Sequence, residues 1–396
     1  MLKKWSFYYA RFNRVVYLCR VLTNKFIIMK KNLQTILVVA LGLLTTVSYA
    51  QDWGIDSRTR IDMSGNGDEM STAQRATLSA NWGGSDWGIH LSTDVNYTVS
   101  DVDPAAQPVI AVYEAYASTN LFGFASMTAG RQALEYGSGT WIAKNDWNAN
   151  RNTVDGMTFD INNDFVALDL GIAQRDNGDG SSMLDAMWLN ASKSSGDWSV
   201  NLLYADFVQV GEANEPVTLL YGAAGVDAQA MGLDFAYNAM GGALDLNVSY
   251  NTLTMGDMEM DMMDISGTYS VNDDMSIMAG RASYGENGFG DLLGLGNRGN
   301  YGAGNSWLSH GNIGHLGANE ENMYVGGSYS MGDFTLSAAV HNVTNTEDDT
   351  YERAATEVSV GYTLSDNASL SYKMVSDDMG TGADDNYNWL TLTVTP

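Results

Sequence analysis

Residues 241–251, GGALDLNVSYN, decide the fold. Leu244, Leu246, Val248 and Tyr250 alternate with Asp245, Asn247, Ser249 and Asn251. Period two places the two sets on opposite faces of a strand, one apolar and one polar. Residues 85–98 repeat the pattern, with Trp87, Ile89, Leu91, Val95 and Tyr97 against His90, Ser92, Asp94 and Asn96. Residues 231–238 set Met231, Leu233, Phe235 and Tyr237 against Asp234 and Asn238, and Leu370, Tyr372 and Met374 face away from Ser369, Ser371 and Lys373.

Between such strands the connections alternate, short then long. The short ones fall at 83–85, 120–123, 162–163, 194–196, 239–242, 272–274, 331–332 and 365–367. Trp87, Phe165, Trp198 and Phe334 open strands directly after short turns. The long ones fall at 63–71, 99–109, 134–153, 176–181, 209–229, 254–261, 285–320, 345–353 and 376–386. Hairpins at the short turns, with one strand before and one after, predict about 18 strands, an even count typical of bacterial transmembrane barrels. A soluble sandwich or propeller accepts alternation too. Short turns on one side, long loops on the other and aromatics at strand ends favour an antiparallel transmembrane β-barrel with short periplasmic turns and long extracellular loops. The four prolines lie in long loops or at the terminus, so none interrupts a ladder. Closure also removes the edges that an open sheet of this size exposes. The interior of such a barrel is too wide for wall side chains to fill, which predicts an aqueous channel.

The front of the chain reads differently. Residues 29–50 have the form of a signal peptide: Lys30 and Lys31, an apolar run from Leu33 to Val47, then Ser48-Tyr49-Ala50. The apolar run, about 15 residues, falls short of the roughly 20 a spanning helix needs. Residues 1–28 match no targeting class, and Met29 is the expected start. The barrel is expected over 51–396, after export to the cell outer membrane. Eight of the 20 basic residues and none of the 47 acidic ones precede Gln51, which leaves 12 basic residues and a net charge of −35 over 51–396. That balance excludes nucleic-acid binding through a basic face. The one cysteine, Cys19, also precedes Gln51, so disulfides, cysteine-ligated zinc and cysteine nucleophiles are excluded beyond it.

Parity assigns the inner wall. Asp56, Arg58, Arg60 and Asp62 face inward opposite Ile55 and Ile61, and Arg75 and Thr77 face inward opposite Leu78, Ala80 and Trp82. Glu114, Asp160, Asp169, Asp234, Asp245, Asp264 and Glu357 fall on polar faces. Arg131 and Arg281 sit on strands of mixed parity. They are expected inward, because a lipid-facing Arg at mid-membrane costs about 2–4 kcal/mol.

The loop at 134–153 lacks a clean period and is rich in Gly, Asn and Trp. A connection this long in a hairpin-dense chain is usually functional or disordered. Its tryptophans and its charges of both signs, Glu135, Lys144, Asp146 and Arg151, argue against disorder, and the loop is expected to fold inward and narrow a pore. Residues 130–159 resemble the alginate-export family of outer-membrane barrels. The resemblance rests on Gly130-Arg131-Gln132, Tyr136-Gly137, Asp146-Trp147, Arg151 and Asp155-Gly156. It implies an 18-stranded porin that passes polar solutes, alginate being the substrate of the best-known member. The candidate pore-lining residues are therefore Arg58, Arg60, Arg75, Glu114, Arg131, Glu135, Tyr136, Lys144, Asp146, Trp147, Arg151 and Asp155.

Other motifs carry less. Residues 294–299 fit G-x-G-x-x-G without a βαβ unit around them. Residues 176–180 read as a tight turn, being too short for an EF-hand. Residues 255–263 read as a Met-rich acidic loop tip rather than a soft-metal site. His310 and His315 lack a third ligand, and four scattered histidines leave little for catalysis, so neither a metal, a cofactor nor an enzyme is expected. The expected function is passive passage of small hydrophilic solutes, with outer-membrane lipid and lipopolysaccharide around the wall. The acidic balance favours cations or neutral sugars. The alternative is a surface adhesin or receptor that binds a partner through its acidic loops.

Overall fold

The computed structural model describes residues 51–64, 70–99, 108–147, 151–161, 163–176, 182–208, 228–289, 316–378 and 384–396. The expected leader at 29–50, residues 294–299, His310 and His315 lie outside them. The strands are β1 Gln51–Asp62, β2 Ser71–Gly83, β3 Trp87–Thr98, β4 Val109–Leu121, β5 Ala125–Gln132 and β6 Val154–Ile161. Next come β7 Ala167–Asp176, β8 Ser182–Ser195, β9 Trp198–Val208, β10 Ala228–Ala239, β11 Leu244–Met255 and β12 Met258–Asn272. The last six are β13 Met275–Tyr284, β14 Glu320–Met331, β15 Phe334–Asn345, β16 Glu352–Ser365, β17 Ala368–Asp378 and β18 Asp384–Val394.

Each strand pairs antiparallel with the next in sequence. β1 closes on β18, from Ser57↔Val394 to Asp62↔Trp389. The result is a closed 18-stranded up-and-down barrel, with every strand edge paired. The connections after even-numbered strands are two to five residues long. At Gly196 and Gly332 the two-residue hairpins need a left-handed residue, with φ of +57° and +59°, and glycine supplies it without strain.

One expected long loop is absent. At 254–261 the strands β11 and β12 continue to a two-residue turn, Gly256-Asp257. Met260 and Met262 are wall residues, 2% and 0% exposed, not the tip of a loop.

The outer face is the apolar one. On β10, Met231, Leu233, Phe235 and Tyr237 are 41–47% exposed, while Ala228 and Ala230 on the other face are buried. Exposed Trp53, Trp87, Phe124, Phe165 and Phe334 cluster at the short-turn end, where a girdle meets the interface. The inner face has two levels. Toward the short turns it is polar. Toward the long loops it is apolar, with Leu203, Phe207, Leu253, Met262, Val343 and Val375 buried around Trp141, Ile142, Phe289 and Leu316. An aqueous lumen would leave those wall residues wet. They are dry because segments from the β5–β6 and β13–β14 connections fold in upon them.

Candidate functional site at the infolded loop

The connection between β5 and β6 crosses the lumen. Its first half turns tightly: the Tyr136 amide donates to the Ile142 carbonyl at 3.1 Å and the Gly139 amide to the Tyr136 carbonyl at 2.9 Å. The turn seats on β8, β10 and β11. The Trp188 indole donates to the Tyr136 hydroxyl at 3.2 Å. Burial pushes the Tyr136 phenol up to about 12, so it stays neutral. The Ser138 amide donates to Asp234 Oδ2 at 2.9 Å, and the Ser249 hydroxyl to Asp234 Oδ1 at 2.5 Å. Trp141 is 1% exposed, donates its indole proton to the Met231 carbonyl at 3.3 Å, and packs on Phe289 at 4.9 Å. Two glycines make the fit possible. Gly137 has φ +55°, and a Cβ there would lie 1.9 Å from Asp234. A Cβ on Gly232 would lie 3.3 Å from the Trp141 ring.

The second half seats on the opposite wall. Arg58 and Arg75 donate to the Asp146 carbonyl at 2.5 and 3.3 Å. Arg60 donates to the Trp147 carbonyl at 2.9 Å and lies over its ring at 3.7 Å. Trp147 meets Trp389 of β18 edge-on at 5.5 Å. Arg151 pairs with Asp94 of β3 at 2.5 Å, donates to Thr77 at 3.1 Å and covers the Tyr113 ring at 3.3 Å. The bulge opposite Ser92 and Thr93 makes this possible. It adds one residue to β4, so Tyr113 and Glu114 both face inward. Glu114 accepts from the Ala133 amide at 3.1 Å and holds the start of the loop.

The loop thus bridges β8, β10 and β11 to β1, β2, β3 and β18. Between its two seats Glu135, Lys144 and Asp146 remain 46–52% exposed, with Lys144 4.0 Å from Glu135 and 3.8 Å from Asp146. The walls differ in sign. Arg58, Arg60, Arg75 and Arg151 gather on one side, and Asp160, Asp169, Asp234 and Asp245 occupy the inner face of β6, β7, β10 and β11 on the other. Toward the short turns a cavity of about 860 Å³ opens, lined by Ser138, Ser199, Asn201, Asp234, Asn247 and Ser249 among others. The lining mixes these hydroxyl, amide and carboxylate groups with apolar residues such as Val200, Val248 and Met278.

Two expected pore residues are elsewhere. Arg131 and Asp155 share the outer face with Met157, and they pair bidentately at 2.8 and 2.7 Å, 40% and 56% exposed. Arg281 likewise shares the outer face with Ile277 and pairs with Glu321. The penalty that argued for inward placement applies to a lone charge at mid-membrane. Here each charge is neutralised by its neighbour and sits at the long-loop end of its strand. The sequence reading missed Asp94, Tyr113, Trp141, Trp188, Phe289 and Trp389. Of these, Asp94 carried a signal in its inward parity, and Trp141 as one of the loop's tryptophans.

Residues 68–254 match the family model described as Alginate export, from the connection before β2 to the end of β11. This is an outer-membrane β-barrel similar to the alginate-export family. The match takes in the whole infolded loop and both of its parent strands. Among solved structures, the alginate-export-like chain is similar to Pseudomonas aeruginosa OccK9 (OpdG), with 13% identity, 87% of this chain and 98% of that one covered, and a TM-score of 0.66. It is similar to P. aeruginosa OccK11 (OpdR), with 13% identity, coverage of 87% and 95%, and a TM-score of 0.64. It is also similar to the P. aeruginosa outer membrane protein OpdK, with 12% identity, coverage of 88% and 98%, and a TM-score of 0.63. At these identities the likeness is one of fold. No curated protein matches the chain.

Proposed function

We propose that the chain is a passive outer-membrane porin for small hydrophilic solutes, with residues 134–153 as its constriction loop. One observation carries this reading: the loop is seated across the lumen on walls of opposite charge, with a cavity of about 860 Å³ beyond it. That arrangement supports a channel rather than an enzyme. A guanidinium cluster facing a wall of carboxylates orients a solute that has an anionic end and a hydroxylated or neutral remainder. OpdK has been solved with vanillate, an aromatic carboxylate, which supports this class of solute. The exposed apolar outer wall contacts lipid and lipopolysaccharide, and residues 29–50 direct export.

The test is conductance of the purified barrel in a planar bilayer. Steady, ohmic single-channel steps are expected, with a reversal potential in a KCl gradient that moves when Arg58 and Arg60 are neutralised. A membrane silent at all voltages sinks the porin and leaves the adhesin. Alginate oligomers added to the open channel test alginate itself. Without block, the solute is a smaller one.

A further inference from the structure

On the inner face of β5 to β8 one row of side chains carries oxygen donors and, among the described residues, no cationic side chain. Ser126 of β5 stands opposite Asp160 of β6, Asp160 opposite Asp169 of β7, and Asp169 opposite Asn190 of β8. All four alternate with lipid-facing residues, among them Met157, Leu170, Ile172 and Leu189, so they face the lumen. Like charges directly opposite one another across a sheet are destabilising. The ion pairs of the described residues lie elsewhere, at Arg131–Asp155, Arg151–Asp94 and Lys373–Glu357 among others.

Asn190 supplies the second observation. It is 3% exposed. Its amide hydrogen-bonds Asp169, yet its side-chain oxygen Oδ1 has no hydrogen-bond partner. A buried amide oxygen left without a partner is costly, on the order of 1–3 kcal/mol. Strand register therefore places the two carboxylates and this buried amide in one row of the lumen wall, with the amide against Asp169. Asp160 is exposed and opens the row to the water of the lumen, where it also borders a small cavity of about 150 Å³ with Asn120 and Ser126.

We propose that Asp160, Asp169 and Asn190 form a site for a hard divalent cation such as Ca²⁺. Ca²⁺ takes carboxylate and amide oxygens and completes its shell with water. The cation would neutralise the opposed carboxylates and satisfy Asn190. The site lies one inner position along β8 from Trp188, which holds Tyr136 of the constriction loop. Filling it would place positive charge on the acidic wall immediately below the constriction.

Tb³⁺ is the probe, because Trp188 and Tyr136 can sensitise its luminescence. The detergent-solubilised barrel should show a saturable signal that Ca²⁺ displaces. Asp169→Asn and Asn190→Leu should each weaken that component by about tenfold or more, since affinity follows ligand charge and number. Asp245→Asn, on the same wall but outside the row, should leave it unchanged. Cations gathered by the acidic loops would be insensitive to Asn190→Leu. An affinity equal to wild type in both Asn190→Leu and Asp169→Asn overturns the site, as does the absence of displaceable Tb³⁺. Heat-modifiable migration on gels confirms that each variant is a folded barrel. The titration needs no conduction, so its outcome is independent of the porin reading.

Discussion

Arg151→Ala should unseat the second half of the constriction loop. The Arg151 and Asp94 side chains are 8% and 5% exposed, and they meet at 2.5 and 3.2 Å. Removing one partner of a buried pair costs about 3–5 kcal/mol, because the other charge is left without compensation. Water in the lumen reaches part of this site, so the lower end applies. Losing the contact over the Tyr113 ring adds about 1 kcal/mol. Together, a shift of about 4 kcal/mol changes the ratio of seated to unseated loop by roughly 1,000-fold. The contacts of Arg58, Arg60 and Trp147 remain, so the loop loosens rather than leaves. Single-channel recordings should gain a second, larger conductance level with frequent transitions.

The reasoning places the cost on stranded Asp94, and that can be checked. Asp94→Ala added to Arg151→Ala should remove much of the excess noise, since no buried charge is then left over. Two results refute the account. A single conductance level equal to wild type in Arg151→Ala means the loop is not held there. A double variant noisier than Arg151→Ala means the ion pair is not the reason.

Other outcomes follow from the same geometry. Gly137→Ala forces a side chain into a left-handed backbone and onto Asp234, a cost of about 1–2 kcal/mol from the backbone alone; it should raise conductance, and unchanged conductance would contradict the seat on β10. Arg58→Gln with Arg60→Gln should move the reversal potential in a KCl gradient toward cation selectivity, whereas Arg131→Gln with Asp155→Asn, an outer-face pair, should leave it where it was. The Tyr136 phenol has its value raised from 10.0 to about 12 by burial. A group raised on folding keeps its stabilisation below the unfolded value and loses it as pH rises through the folded one. Conductance steps should therefore stay constant below about pH 10 and become noisy between pH 10 and 12, and Tyr136→Phe should abolish that alkaline transition.

Period two was legible wherever a strand has lipid on one face and water on the other. Residues 231–237 and 244–250 are such places, and there parity alone assigned the lumen correctly. It failed where those conditions change along a strand. In β15, outward Leu336 and Val340 give way to outward Asn342 and Thr344, while the inward set changes from Ser337 to buried Val343. In β12, Met260 and Met262 point inward, while Glu259 and Asp261 alternate with them. The faces have exchanged polarity. Outside, the strand has risen past hydrocarbon into water, so acids are at no cost there. Inside, the lumen is filled by Trp141 and Phe289, so methionine is buried. A reader who holds the first polarity fixed sees acids and methionines out of order and writes a loop, as at 254–261. The same inversion explains Arg131 and Arg281, which lie at the level where outward charge is tolerated. The position of the exchange along each strand is thus itself a signal. It marks the height at which the constriction loop seats, and it could have been found by asking on which residue each strand's alternation reverses.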